Sequence, residues 1–528
     1  MPLLRAFATV GSFTLISRVT GFARDMLVAG FLGAGAAADA FLVAFQFPNL
    51  FRRLFAEGAF SAGFVPIFSR LYEADGAARA KEFADAAFSM LAAVVLVFCA
   101  AVMVAMPAVL HVVAPGFART PGQMAHAVEL ARITFPYLLF ISLVSLQSGV
   151  LNALHRFAAA AAVPIILNLT LIAFLVSAAG LGAEPARALA WGVPAAGALQ
   201  FAWLIHHCRR AGLSPALRRP RLTPEVKDLL ARMLPVAFGA GVYQINLVVN
   251  NLLATLVAVG AVSWLYYADR VNQLPLGVVG VAIGVALLPL LSRQIQGGHE
   301  AAALANQNRA IEVSLLLTLP AAVGIGVLAQ PIAATLFERG AFGPADRDAV
   351  AAALRAFAFG LPAYVLIKAL TPGFFARHDT LTPVKISVVA LIANVGIALA
   401  LIGPLGHVGI ALATTVSAWI NVSALAVVLV RRGHFRPDAR LVARAPRLAL
   451  ASAAMAAGLW ALSASLASAL GSVFGAPGVA AGPEYIRALA LAGLVAAGAV
   501  IYFAAVMLLR AADRSDLAAL RRQPPRSA

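Results

Sequence analysis

Apolar stretches of about twenty residues recur along the whole chain, separated by short polar or basic connections. The strict alternation of a barrel strand is missing, so the pattern predicts membrane-crossing helices. Fourteen spans are expected, at about 7–32, 36–66, 83–111, 127–152, 157–181, 186–208, 226–256, 260–291, 309–336, 348–374, 383–402, 408–430, 446–470 and 486–510. The longest connections, about 209–225 and 431–445, are basic and contain proline. They divide the spans into six, six and two. The expected fold is an all-α polytopic membrane protein with two six-helix lobes and two extra C-terminal helices. The corresponding segments are 1–222, 223–435 and 436–528.

A short internal echo supports that division. Span two ends Pro66-Ile67-Phe68-Ser69-Arg70 and span eight ends Pro289-Leu290-Leu291-Ser292-Arg293. Upstream lie Gln46-Phe47-Pro48 and Gln273-Leu274-Pro275, an offset near 225 residues. Six helices per repeat is an even number, so the lobes would insert with the same polarity, related by a pseudo-two-fold axis along the membrane normal.

The first two spans break the apolar pattern in a telling way. Span one carries Arg18, Arg24 and Asp25; span two carries Asp39, Arg52, Arg53 and Glu57. Each such charge near a bilayer centre costs roughly 2.5–3.5 kcal/mol, so the set would cost on the order of 20 kcal/mol facing lipid. A polar interior is required, and such an interior is by default a substrate pathway.

Composition agrees with the membrane reading: 62% of the 528 residues are hydrophobic and 12% charged, with mean hydropathy +0.90. A cleavable leader is not expected, because the first apolar stretch is long and charged. Cys99 and Cys208 sit far apart without a partner motif. The net charge of +18 reflects topology rather than nucleic-acid binding, since no aromatic-interleaved basic motif is present. With the N-terminus inside, Arg70, Arg79, Lys81, Arg156, the 209–227 and 431–447 clusters and the 510–526 tail all fall on the cytoplasmic side. Against them stand only Arg119, Arg187, Arg339, Arg347 and Arg487. That asymmetry places both termini in the cytoplasm.

Depth brings some of these charges together. At about 1.5 Å per residue, Arg18 lies roughly 18 Å from the inner edge, and Asp269 and Arg270 of span eight roughly 12 Å below the outer edge. Arg18 and Arg270 therefore reach similar depth, one from each half. Arg18, Arg24, Arg52, Arg53 and Arg270 outnumber Asp25, Asp39, Glu57 and Asp269. Surplus guanidinium, a fixed charge with a forked donor, suits a phosphate better than a metal cation. The competing reading is a set of internal salt bridges stitching helices together. No phosphate-binding Gly-rich loop, zinc motif or nucleophile elbow occurs, so the chain is not expected to be an enzyme, and no resident metal or cofactor is expected.

Several long motifs carry a resemblance. Ser17-Arg18-Val19-Thr20-Gly21-Phe22-Ala23-Arg24-Asp25, Gly33-Ala34-Gly35 through Asp39-Ala40-Phe41, and Pro48-Asn49-Leu50-Phe51-Arg52-Arg53-Leu54-Phe55-Ala56-Glu57-Gly58 resemble the opening spans of the MurJ/MviN family. So do Tyr266-Tyr267-Ala268-Asp269-Arg270 and Pro372-Gly373-Phe374-Phe375-Ala376-Arg377. The family belongs to the multidrug/oligosaccharidyl-lipid/polysaccharide exporter superfamily. Its members flip lipid II, the undecaprenyl-pyrophosphate-linked peptidoglycan precursor, across the bacterial inner membrane.

The resemblance implies alternating access. Arg18, Arg24, Arg52 and Arg270 would contact the headgroup, Asp39 and Glu57 would support them, and Asp25, Arg53 and Asp269 complete the expected substrate-binding set. Spans thirteen and fourteen would hold the prenyl tail. Lipid II and membrane lipids are the implied partners, with cell-wall synthesis proteins as further candidates and a monomer as the working unit. Two departures stand out. Some relatives carry a lysine at position 46 and a glutamate at position 273, where this chain has Gln46 and Gln273. A sodium site in some members uses acids in spans seven and eleven, where this chain has Asn246, Asn250, Asn251 and Asn394. Sodium coupling is thus open but not favoured, and membrane potential is the expected drive. A lipid-linked oligosaccharide flippase, a cation-coupled drug exporter and a non-transporting scaffold are the alternatives.

Overall fold

A computed structural model describes residues 2–52, 59–470 and 484–512. Among them every regular element is helical. Eleven stretches of the described residues are long and apolar enough to cross a membrane, and each coincides with an expected span. The other three expected spans, 7–32, 36–66 and 226–256, fall on helices that do not meet that standard along their described length. The count of fourteen stays an expectation for those three.

The chain packs as two units, Met1–Ser263 with Arg339–Phe342, and Trp264–Glu338 with Gly343–Ala528. Unit 1 holds α1 (Pro2–Leu32), α2 (Ala36–Phe51), α3 (Ala59–Ala74), α4 (Gly76–Val113), α5 (Gln123–Thr134), α6 (Tyr137–Ala153), α7 (Phe157–Leu181), α8 (Pro185–Arg210) and α9 (Pro224–Val257). Here α1 packs on α7, α7 and α6 on α8, and α2 on α5. The repeat boundary near 222 and the packing boundary at Ser263 are different lines, because α9 packs against α3 and α4 of unit 1.

In α3 the four-residue spacing puts Phe60, Phe64 and Phe68 on one face. Their rings stack at 5.2 and 5.5 Å, and Phe64 also stacks on Phe83 of α4 at 5.3 Å. Lipid tails are as apolar as these rings, so their contribution in a bilayer is close packing rather than escape from water. Residues 339–342 dock at the end of α1, where the Ala341 N–H donates to the Gly30 carbonyl at 2.8 Å. Gly33 has φ +66°, and a Cβ on it would come within 2.6 Å of the Ala341 oxygen, so only glycine fits.

Unit 2 begins within α10 (Ala261–Pro275) and continues through a π turn (Leu276–Gly280) into α11 (Val281–Gln296). Then come α12 (Glu300–Val327), α13 (Ala329–Phe337), α14 (Pro344–Ala358), α15 (Leu361–Phe375), α16 (Leu381–Leu405), α17 (His407–Arg431), α18 (Ala439–Leu470) and α19 (Glu484–Leu508). Expected spans eight, nine and ten are each interrupted. In span eight the irregular turn follows Pro275, which cannot donate to the helix ladder. The core joins Leu287 and Leu291 of α11 to Leu366, Leu370 and Phe374 of α15 and Val422 of α17.

Candidate functional site

The charges of α1 are set among hydrogen bonds rather than in a bare apolar wall. Arg24 and Asp25 are only 6% and 4% exposed. Arg24 donates through Nε and Nη2 to Asp25 Oδ1, at 3.1 and 2.6 Å. Its Nη1 donates to Asn168 Oδ1 of α7 at 3.0 Å, and the guanidinium lies 5.7 Å from the Phe45 ring centroid. Arg18, two turns earlier on α1, is exposed. Asn168 was not singled out by the sequence; the signal for it was an amide inside an otherwise apolar span.

Asp39 of α2 is 1% exposed and accepts three hydrogen bonds, from the Gly260 N–H at 2.6 Å, the Ser263 N–H at 2.9 Å and the Ser263 hydroxyl at 2.6 Å. Gly260 and Ser263 flank the start of α10, so Asp39 supplies from another helix the carboxylate that an N-cap residue ordinarily provides. Further along α2, Pro48 withholds an N–H from the Ala44 carbonyl. The Thr134 hydroxyl of α5 donates to that carbonyl at 3.0 Å and restores the missing bond.

Arg52 closes α2, with its Nε donating to Asn49 Oδ1 at 3.1 Å. Gln46 accepts from the Asn251 amide of α9. Arg53 and Glu57 lie outside the described residues.

In unit 2, Arg270 of α10 donates through Nη2 to the Tyr266 hydroxyl at 2.8 Å, and its guanidinium carbon stands 4.7 Å from the Tyr266 ring centroid. Cation–π contact and hydrogen bond together hold the guanidinium against Tyr266. The neighbouring Asp269 accepts from the Gln273 amide, one turn on. Lys368 lies on α15 beside Gly280 of the π turn, where a Cβ would be 3.8 Å from its Cγ. The structure therefore brings Arg24 together with Asp25, and Asp269 and Arg270 sit on one turn of helix. Asp39 and Arg52 each have their own partners.

A second charged cluster escaped the sequence reading. Glu312 of α12, 6% exposed, is bonded to Arg309, Arg440 and Arg444, the last two from α18. Arg309 also pairs with Asp438. Elsewhere in unit 2, α13 and α19 flank an open apolar groove of about 530 Å³ lined by Leu336, Ala488, Leu491, Val495 and Ala499. Arg487 of α19 donates to the Ala334 and Glu338 carbonyls at 3.2 and 3.3 Å. Among the described residues no group of three or more His, Cys, Asp or Glu is placed to hold a metal ion.

Solved structures share this fold. One is described as "Lipid II flippase MurJ, inward closed conformation", with TM-score 0.78, 22% identity and coverage of 95% of this chain and 98% of that one. Another is an inward-facing multidrug resistance MATE transporter of the MOP superfamily, with TM-score 0.67, 15% identity and coverage of 79% and 94%. The chain thus shares the fold of these membrane proteins.

Sequence narrows the class. The family model described as "Lipid II flippase MurJ" matches residues 28–479. A Rhizobium meliloti protein named probable lipid II flippase MurJ is 45% identical over 532 residues, covering 100% of this chain and 97% of that one. A Rhizobium tropici protein of the same name is 48% identical over 459 residues, 86% of each chain. The Burkholderia cenocepacia lipid II flippase MurJ is 39% identical over 444 residues, covering 83% and 86%. The chain belongs to the MurJ family.

Proposed function

We infer that this chain is a lipid II flippase, moving the undecaprenyl-pyrophosphate-linked precursor from the cytoplasmic to the periplasmic leaflet of the bacterial inner membrane. The observation that carries the reading is the family match along residues 28–479, with named relatives aligned over nearly the whole chain. Lipid-linked oligosaccharide and drug export are not favoured, since the exporter likeness outside the family is only 15% identical.

Within that function Arg18, Arg24, Arg52, Arg53 and Arg270 bind the pyrophosphate and its sugar; Asp25 holds Arg24, and Asp39, Glu57 and Asp269 are supporting acids of the site. Arginine suits this role because its charge is fixed and its fork matches phosphate oxygens. No covalent step is needed. The protein binds the headgroup, changes access and releases it, working as a monomer with both termini in the cytoplasm. An inside-negative potential drives an anionic headgroup outward, at about 2.3 kcal/mol per charge per 100 mV.

The test is replacement of the resident flippase in a depletion strain by Arg18→Ala or Arg270→Ala. Both variants are expected to accumulate in the membrane and fail to rescue growth. Normal rescue by either would remove that residue from the headgroup role.

A further inference from the structure

Asn168 occupies the middle of α7, in the run Ile165-Ile166-Leu167-Asn168-Leu169, and is 6% exposed. An amide so placed costs free energy unless both its ends are bonded. Its Oδ1 accepts from Arg24 Nη1 at 3.0 Å. Its Nδ2 donates to the Ser17 carbonyl at 3.0 Å and to the Thr20 hydroxyl at 3.3 Å. Gly21 provides the space, since a Cβ there would lie 3.2 Å from Asn168 Nδ2. One side chain from α7 thereby joins the α1 backbone at Ser17 to the guanidinium two turns further on.

The remaining sides of Arg24 are defined too. Asp25 Oδ1 takes Nε and Nη2, and the Phe45 ring lies 5.7 Å away. A long side chain with several rotatable bonds is thus held in one orientation by three neighbours. Of these, only Asn168 ties it to another turn of α1.

We propose that Asn168 is a positioning residue for recognition of a lipid pyrophosphate: it fixes the plane and depth of the Arg24 guanidinium so that the anion meets a preset donor fork. The proposal rests on the reading that Arg24 contacts the pyrophosphate. Holding the fork in advance removes the ordering cost from the binding step. An amide suits the task better than a carboxylate, because it accepts from Arg24 without adding to Asp25 a second negative charge that would repel the anion.

The experiment uses full-length protein in nanodiscs and two probes of equal chain length, a polyprenyl pyrophosphate and a polyprenyl monophosphate. Asn168→Ala is expected to weaken pyrophosphate-lipid binding about tenfold, the scale of one hydrogen bond to a charged group. The loss for the monophosphate lipid is expected to be smaller. Asn168→Asp, the same size and so packed alike, is expected to lose more, because a second carboxylate competes for Arg24.

Arg24→Lys retains the charge opposite Asp25 while removing the fork. It should weaken binding by itself, and adding Asn168→Ala to it should change affinity by less than about twofold, as coupled residues do. Wild-type affinity in both Asn168 variants, or the full Asn168→Ala loss recurring in the Arg24→Lys background, would overturn the proposal alone. Wild-type affinity in Arg24→Lys would overturn the Arg24 reading and the proposal with it.

Discussion

Each unit buries an arginine–carboxylate network, and the two are built differently. In unit 1 one arginine, Arg24, meets one acid, Asp25, and one amide, Asn168, joining α1 to the middle of α7. In unit 2 one glutamate, Glu312, meets Arg309, Arg440 and Arg444, joining α12 to the first turns of α18. The first uses an amide where a second acid beside Asp25 would have left the cluster net negative. The second places its acid where several arginines converge. Burial of charge alone therefore does not separate a ligand-handling site from a fastening. The unit 1 network is the one proposed for headgroup recognition, whereas the unit 2 network ties α18 to α12.

The largest expected effect tests the first half of that contrast. Arg24→Lys should abolish rescue in a depletion strain while the protein accumulates and unfolds near the wild-type temperature, read by thermal unfolding of the purified protein. A large fall in unfolding temperature with transport retained would assign Arg24 to fastening instead.

Next in size, Glu312→Ala leaves Arg444 buried without its carboxylate, a change that costs about 3–5 kcal/mol in buried pairs. A fall of several degrees in unfolding temperature is expected, with transport per folded molecule unchanged. An unshifted temperature would break the comparison from the other side.

The α10 cap comes third. Asp39→Ala removes the acceptor for three donors and should cost about 1–2 kcal/mol, the upper part of the range for lost N-caps. Hydrogen exchange at residues 260–265 reports it directly: faster exchange is expected at the start of α10, and unchanged rates would mean that Asp39 does not hold that turn.

The smallest effect lies outside the spans. Asp379, between α15 and α16, accepts from the Thr382 N–H at 3.0 Å and pairs with Arg432 at 2.5 Å. The Thr382 bonds, with Arg432 adding, pull its carboxyl down to about 2. A depressed folded-state value means that the stabilisation is complete above the ordinary carboxylate range near 4 and fades as pH falls toward 2. Asp379→Asn should lower the unfolding temperature slightly at pH 7 and remove this part of the acid sensitivity. Parallel pH curves for wild type and variant would contradict the assignment.

Much of this was legible in the sequence because the bilayer imposes a simple rule: apolar runs of span length become helices. The helix breaks were partly legible, since Pro275 precedes the π turn, but the exact form of the turn depends on packing against α15. Arg24 and Asp25 announced themselves as charges where none is cheap. Their partner Asn168 did not, because a single neutral amide barely alters an apolar pattern. Glu312 was hidden for another reason: it lies near the start of its span, where Arg309 at three residues' distance looks like an ordinary surface pair. Asp39 was visible as a charge, yet its capping role is long-range, linking positions more than two hundred residues apart.

The most direct measurement of the central claim is the amount of lipid II reaching the outer leaflet after acute depletion of the resident flippase, with this chain or its Arg18→Ala and Arg270→Ala variants supplied. The account predicts that the wild-type chain restores outward exposure and that both variants leave the precursor on the inner leaflet at equal membrane abundance. Equal exposure with wild type and variants would contradict it.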